Sequence, residues 1–184
     1  MPDRIGVLGS LCNPPHVGHA ALARSAAAQL GLARVLLVPT GAPSHRPAPG
    51  EDAAVRLRLA EAAAADEPVL EASRVEVDRP GPSYMADTLL ALAPLGDLVL
   101  LLGSDQYAAL GTWHAPELVR ARCRIAVAER PGAPLGPGDH ETIAMEPVDV
   151  SSSEVRRRVA AGEPIDGLVT PSVAALIRAE GLYR

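Results

Sequence analysis

A chain of 184 residues, 48% of them apolar and with a formal net charge of -5, has material for one hydrophobic core. It is too acidic to grip nucleic acid by its phosphates, which takes a basic face. No apolar run approaches the ~20 residues of a membrane span and Met1-Pro2-Asp3-Arg4 lacks the opening of a signal peptide, so one cytoplasmic domain over 1–184 is expected, with no membrane partner.

Lysine is absent and all 17 basic residues are Arg. That removes Walker A loops and Schiff-base enzymes, both of which need the amine. Cys12 and Cys123 stand far apart with no metal-spaced neighbours, and are expected as reduced thiols.

In chain order, Ile5–Leu8 reads as a strand, and Gly9-Ser10-Leu11-Cys12-Asn13-Pro14-Pro15-His16-Val17-Gly18-His19 as a loop stiffened by two prolines. An alanine-rich helix is expected over Ala20–Leu30, ended by Gly31. His16 and His19 frame Gly18 beside that helix start, where unpaired N–H groups and a partial positive charge favour an anion. One such His alone is more often a solvated surface residue. Two of them after Pro-Pro point to a phosphate site.

Arg34–Pro39 is a continuous apolar run, as in a parallel strand covered on both faces. The loop Thr40–Gly50 follows a strand's carboxyl end, where ligands bind in open parallel sheets, so His45 and Arg46 are either an anion contact or a solvated loop tip. Glu51–Ala65 predicts a helix, Val69–Val77 a strand with alternation at Val75 and Val77, and Ser83 a cap for the next helix. Asp97–Leu102 predicts a buried strand ending in Gly103-Ser104-Asp105. Asp105 can accept from ribose hydroxyls or form an Asx turn.

Trp113, the only Trp, sits in a loop-like stretch and is either core or a ring-stacking platform. Pro116–Arg122 reads as a helix, Arg124–Ala128 as a strand and Ile143–Val148 as a last strand. Ser151 and Glu154 have capping-box spacing at the next helix start. Ser152 and Arg156, four apart, share a face and could offer donors to phosphate. Thr170-Pro171 opens the final helix and Gly181 ends it. Strands alternating with helices give an α/β fold: a doubly wound, mostly parallel Rossmann-like sheet with helices on both faces.

These motifs, taken in order, resemble the bacterial nicotinate-nucleotide adenylyltransferases, nucleotidyltransferases marked by H-x-G-H. The resemblance runs through G-S-L-C-N-P-P-H-V-G-H at 9–19, P-S-H-R-P at 43–47, P-S-Y-M-A-D-T-L at 82–89, G-S-D at 103–105 and T-W at 112–113. R-P-G at 130–132, V-S-S-S-E-V-R at 150–156 and the terminal G-L-Y-R complete it. It implies ATP and nicotinate mononucleotide as substrates, joined into deamido-NAD with release of pyrophosphate, and Mg2+ held mainly by phosphates with no protein metal cage.

By the same resemblance, His16, His19 and Arg156 are catalytic, and Gly9, Ser10, Gly18, Gly103, Asp105, Arg130, Ser151 and Ser152 bind ATP. His45 and Arg46 meet the mononucleotide phosphate, Tyr84, Met85 and Ala86 its carboxylate, and Trp113 its pyridine ring. The family's usual G-G-T-F-D-P is altered here, with Ser10, Leu11, Cys12 and Asn13 in place of G, T, F and D. An acceptor other than the acid mononucleotide, such as nicotinamide mononucleotide, and a non-catalytic nucleotide-binding module stay open as alternatives. So does assembly as a homo-oligomer.

Overall fold

The structure, a computed structural model, describes residues 3–43, 50–129 and 132–184. It opens with β1 (Arg4–Ser10), whose Ile5 to Leu8 are buried. Helix α1 spans Val17–Leu30 and starts three residues before the expected Ala20. The early start comes from His16, which takes the N-cap position in extended backbone and makes His19 the third helical residue. Sequence rules look for Ser, Thr, Asp or Asn at that place. Gly31 closes α1 in the left-handed region at φ 64°, where only glycine is free of Cβ strain.

β2 (Arg34–Pro39) follows, then the two-residue β3 (Ala42–Pro43). Helix α2 (Ala53–Ala65) is capped by Asp52, whose carboxylate accepts the Val55 N–H at 2.8 Å, so it begins two residues after the expected Glu51. β4 covers only Leu70–Ala72, not Val69–Val77. Beyond it the chain turns back, with the Asp78 N–H on the Arg74 carbonyl at 2.9 Å. The buried Glu76 accepts the Thr88 hydroxyl at 2.6 Å, so this stretch serves the next helix and not the sheet. Next come β5 (Pro82–Ser83), α3 (Met85–Leu92) and β6 (Asp97–Gly103). α4 (Ser104–Ala109) and α5 (Pro116–Arg122) precede β7 (Arg124–Ala128).

The last strand, β8, lies at Glu141–Ile143, ahead of the expected 143–148. α6 (Ser152–Ala160) and α7 (Pro171–Glu180) finish the chain, with Gly181 the C-cap of α7.

The six main strands are parallel in the order β4-β2-β1-β6-β7-β8, and β3 pairs with β5 in a separate ribbon. Alternation along each strand divides the core. Leu8, Val35, Leu37, Val99, Leu101 and Ala126 face α1, α2, α6 and α7. Ile5, Val7, Leu36, Val38, Leu100 and Val127 face α3 and α5. Chain order reverses between β1 and β6, and in such sheets the crevice beyond the carboxyl ends at that point is the binding site. Ser10 and Gly103 end those two strands.

Candidate functional site at the β1–α1 turn

At the end of β1 the chain turns into α1 through a hydrogen-bonded loop. The His16 backbone N–H donates to His19 Nδ1 at 3.1 Å, so in the neutral ring the proton is on Nε2. Nε2 lies 2.9 Å from Ser10 Oγ, which also accepts the Cys12 N–H at 3.2 Å. The two imidazole rings are tilted 43° to one another, with centroids 3.9 Å apart. Gly18 makes room for this: a Cβ there would stand 3.0 Å from His16 Nδ1. Cys12 is a free, fully buried thiol with φ 52°, and burial pushes its pKa up to about 12.

The same loop is braced from the far end of the chain. Arg156 Nη1 donates to the Asn13 carbonyl at 2.6 Å and the Ser152 hydroxyl to the Pro14 carbonyl at 2.8 Å. The Tyr183 hydroxyl donates to Asn13 Oδ1 at 2.8 Å, and burial lifts its pKa above the usual phenol value. Ser151 caps α6 by accepting the Glu154 N–H at 3.2 Å. Glu154 turns its carboxylate to Arg157 and Arg158, which hold its pKa down to about 2.

Tyr84 precedes α3 and stacks on the His114 ring at 4.2 Å, next to the half-buried Trp113. Met85 reaches back over Gly9, its methyl 2.6 Å from where a Cβ would sit. Asp105 lies in the first turn of α4, just past Gly103, with Gln106 Nε2 3.4 Å from its carboxylate. Among the described residues no three His, Cys, Asp or Glu side chains gather as a metal cage.

The cytidylyltransferase-like family model matches residues 8–158, the stretch that holds this turn and its brace at α6. A Bordetella petrii protein named "Probable nicotinate-nucleotide adenylyltransferase" is 39% identical over 98% of this chain and 99% of its own. The chain belongs to this adenylyltransferase family. A Chromobacterium violaceum protein of the same name is 37% identical over the full length of both chains. The Plasmodium falciparum nicotinic acid mononucleotide adenylyltransferase, solved in complex with NaAD, superposes with a TM-score of 0.80 at 15% identity, covering 98% of this chain and 97% of its own. That likeness is one of fold.

Within this family fold, Gly9, Ser10, His16, Gly18 and His19 share the β1–α1 turn with Ser152 and Arg156. Tyr84, Met85 and Ala86 stand at the start of α3, with Met85 against Gly9 and Ala86 buried in the core, and Trp113 precedes the His114 that stacks on Tyr84. Ser151 caps α6, and Gly103 and Asp105 lie where β6 passes into α4. His45, Arg46 and Arg130 lie outside the described residues. Ser83 is not a helix cap. It sits in β5, and its hydroxyl accepts the Gly41 and Ala42 N–H groups at 3.0 and 3.2 Å. The roles of Arg56 and His114 had no sequence signal, and Tyr183 was marked only as part of the terminal G-L-Y-R. Their partners lie 5 to 170 positions away, or in a ring stack that spacing does not reveal.

Proposed function

We propose that the chain transfers the adenylyl group of ATP to nicotinate mononucleotide, giving deamido-NAD and pyrophosphate, as a cytoplasmic enzyme of NAD synthesis. The observation that carries this is the His16–His19 pair capping α1 at the point where the sheet order reverses. An oxygen of the mononucleotide phosphate attacks the α-phosphorus. The bond to the β-phosphate breaks, and pyrophosphate leaves with the electron pair. A phosphate monoester has its second pKa near ~6, so the nucleophile needs no general base.

The protein's work is to hold two polyanions in line and to oppose the charge that builds on the leaving group. His19 presents its Nε2–H, exchanging Ser10 Oγ for a phosphate oxygen. His16 and the positive end of the α1 dipole add to the same stabilisation. Ser151 and Ser152 stand at the start of α6, and Arg156 reaches the loop from the same helix. Asp105 accepts from the adenosine ribose, and Arg130 borders the adenine. His45 and Arg46 take the mononucleotide phosphate, Trp113 stacks on the pyridine, and the backbone at Tyr84–Ala86 meets its carboxylate.

Magnesium would be carried in on the triphosphate and would neutralise phosphate charge there, since among the described residues no cluster of His, Cys, Asp or Glu would hold it. Incubation with ATP, magnesium and, in turn, nicotinate mononucleotide, nicotinamide mononucleotide and phosphopantetheine tests the reading. Pyrophosphate release is expected with the acid. Preference for the amide would replace the acceptor, and no release with any of them would leave a nucleotide-binding module.

A further inference from the structure

Arg56 is the largest fully buried side chain of the described residues, 1% exposed, and the chemistry above does not use it. It projects from the first turn of α2 and spends its donors on backbone carbonyls of three segments. Nη1 donates to Leu11 at 3.0 Å and to Thr40, Nη2 to Gly41 at 2.8 Å, and Nε to Glu51 at 3.3 Å. Leu11 lies in the histidine loop. Thr40 and Gly41 enter the 40–51 loop, and Glu51 leaves it. One rigid, planar fork therefore joins the two ends of one loop to the middle of the other.

Burying a guanidinium is costly, and its desolvation pulls the Arg56 pKa below the usual value. An apolar side chain of similar length would fill the same volume without that penalty. What it could not do is fix four carbonyls in register. We propose that Arg56 is a positioning residue that sets the distance between the histidine loop and the mononucleotide loop, and so aligns the attacking phosphate with the α-phosphorus. This rests on the adenylyl-transfer reading.

The two loops depend on Arg56 unequally. The histidine loop keeps three other ties, from Ser152, Arg156 and Tyr183. The entry of the 40–51 loop has the Ser83 hydroxyl, the Thr40 N–H on the Ser10 carbonyl at 2.9 Å and the close passage of Gly41 over Glu76, where a Cβ would lie 2.2 Å from the Glu76 carbonyl oxygen. Loss of Arg56 frees three carbonyls on the mononucleotide side, Thr40, Gly41 and Glu51, and only Leu11 in the histidine loop, so it loosens the mononucleotide side more.

The test compares R56M and R56K with the wild type, through steady-state kinetics and hydrogen exchange of the 40–51 backbone. With R56M, KM for nicotinate mononucleotide is expected to rise about tenfold and kcat to fall by up to ~100-fold, the scale of a 1 Å misplacement. KM for ATP is expected to stay within about twofold, because the three other ties remain. Exchange should speed over 40–51 and not in α1. R56K, a single point charge with no fork, should restore little of either.

A folded R56M with wild-type KM for the mononucleotide and wild-type exchange would overturn the proposal. Should R56M fail to fold, R56K carries the same comparison. If neither folds, Arg56 is a folding residue and the positioning role is overturned. A wild-type protein that releases no pyrophosphate would sink the adenylyl-transfer reading instead, and the exchange comparison would still decide whether Arg56 clamps the loop.

Discussion

At the scale of single residues, His19 links structure to chemistry because each ring nitrogen already has a defined contact. Nδ1 accepts from the His16 backbone, and Nε2 meets Ser10. His19→Ala removes a preorganised donor, and such losses cost ~3 kcal/mol of transition-state stabilisation, roughly a hundredfold in turnover. The same substitution removes one helix-capping acceptor, worth only ~1 kcal/mol. Pyrophosphate release should therefore collapse while the melting temperature falls by only a few degrees; near-normal release would remove His19 from the chemistry. Cys12 gives a second check on this loop. Its thiol is buried and titrates only at about 12, so iodoacetamide at pH 8 should leave it unmodified in the native protein and label it after denaturation. Rapid native labelling of Cys12, read by peptide mass, would show that the loop is open.

Between elements, α2 and α7 are joined by Asp66, which ends one helix and caps the other. Its carboxylate accepts the Ser172 N–H and hydroxyl, each at 2.8 Å, in place of a side-chain cap from Thr170. The Ser172 N–H holds the Asp66 pKa below the ordinary carboxylate value, so its stabilisation is present above the unfolded pKa of ~3.9 and is lost as pH falls through the lower folded value. Asp66→Ala should cost ~1 kcal/mol at pH 7 by urea unfolding, and the deficit should shrink as the medium is acidified below about pH 4. A deficit unchanged down to pH 2 would show that the carboxylate charge does not matter. Such long-range caps are invisible to local pattern. The strands β1, β2, β6 and β7 were legible because each is a continuous apolar run, and α7 because Pro171 and Gly181 bracket it. Val75 and Val77 misled because alternation reports two faces without saying what covers them. Here the buried Glu76 between them is tied to Thr88, which only the folded chain brings near.

For the whole molecule, the order of motifs along the chain sufficed for the fold and for the two helix starts that meet at the β1–α1 turn, because H-x-G-H and the α6 serines each mark one. What ties that turn to distant segments was not legible. Arg56 reads as one more Arg on a helix, and Tyr183 as an ordinary C-terminal aromatic, until their distant carbonyl and amide partners are seen. The central claim is that the crevice aligns one phosphate for direct attack on another, with no covalent protein intermediate. A single diastereomer of ATP carrying sulfur on its α-phosphorus tests this most directly, with the configuration of that phosphorus in the dinucleotide read by 31P NMR. Inversion, the mark of one in-line displacement, is the expected result. Retention, the mark of two displacements through an adenylyl-enzyme, or the absence of any dinucleotide, would contradict it.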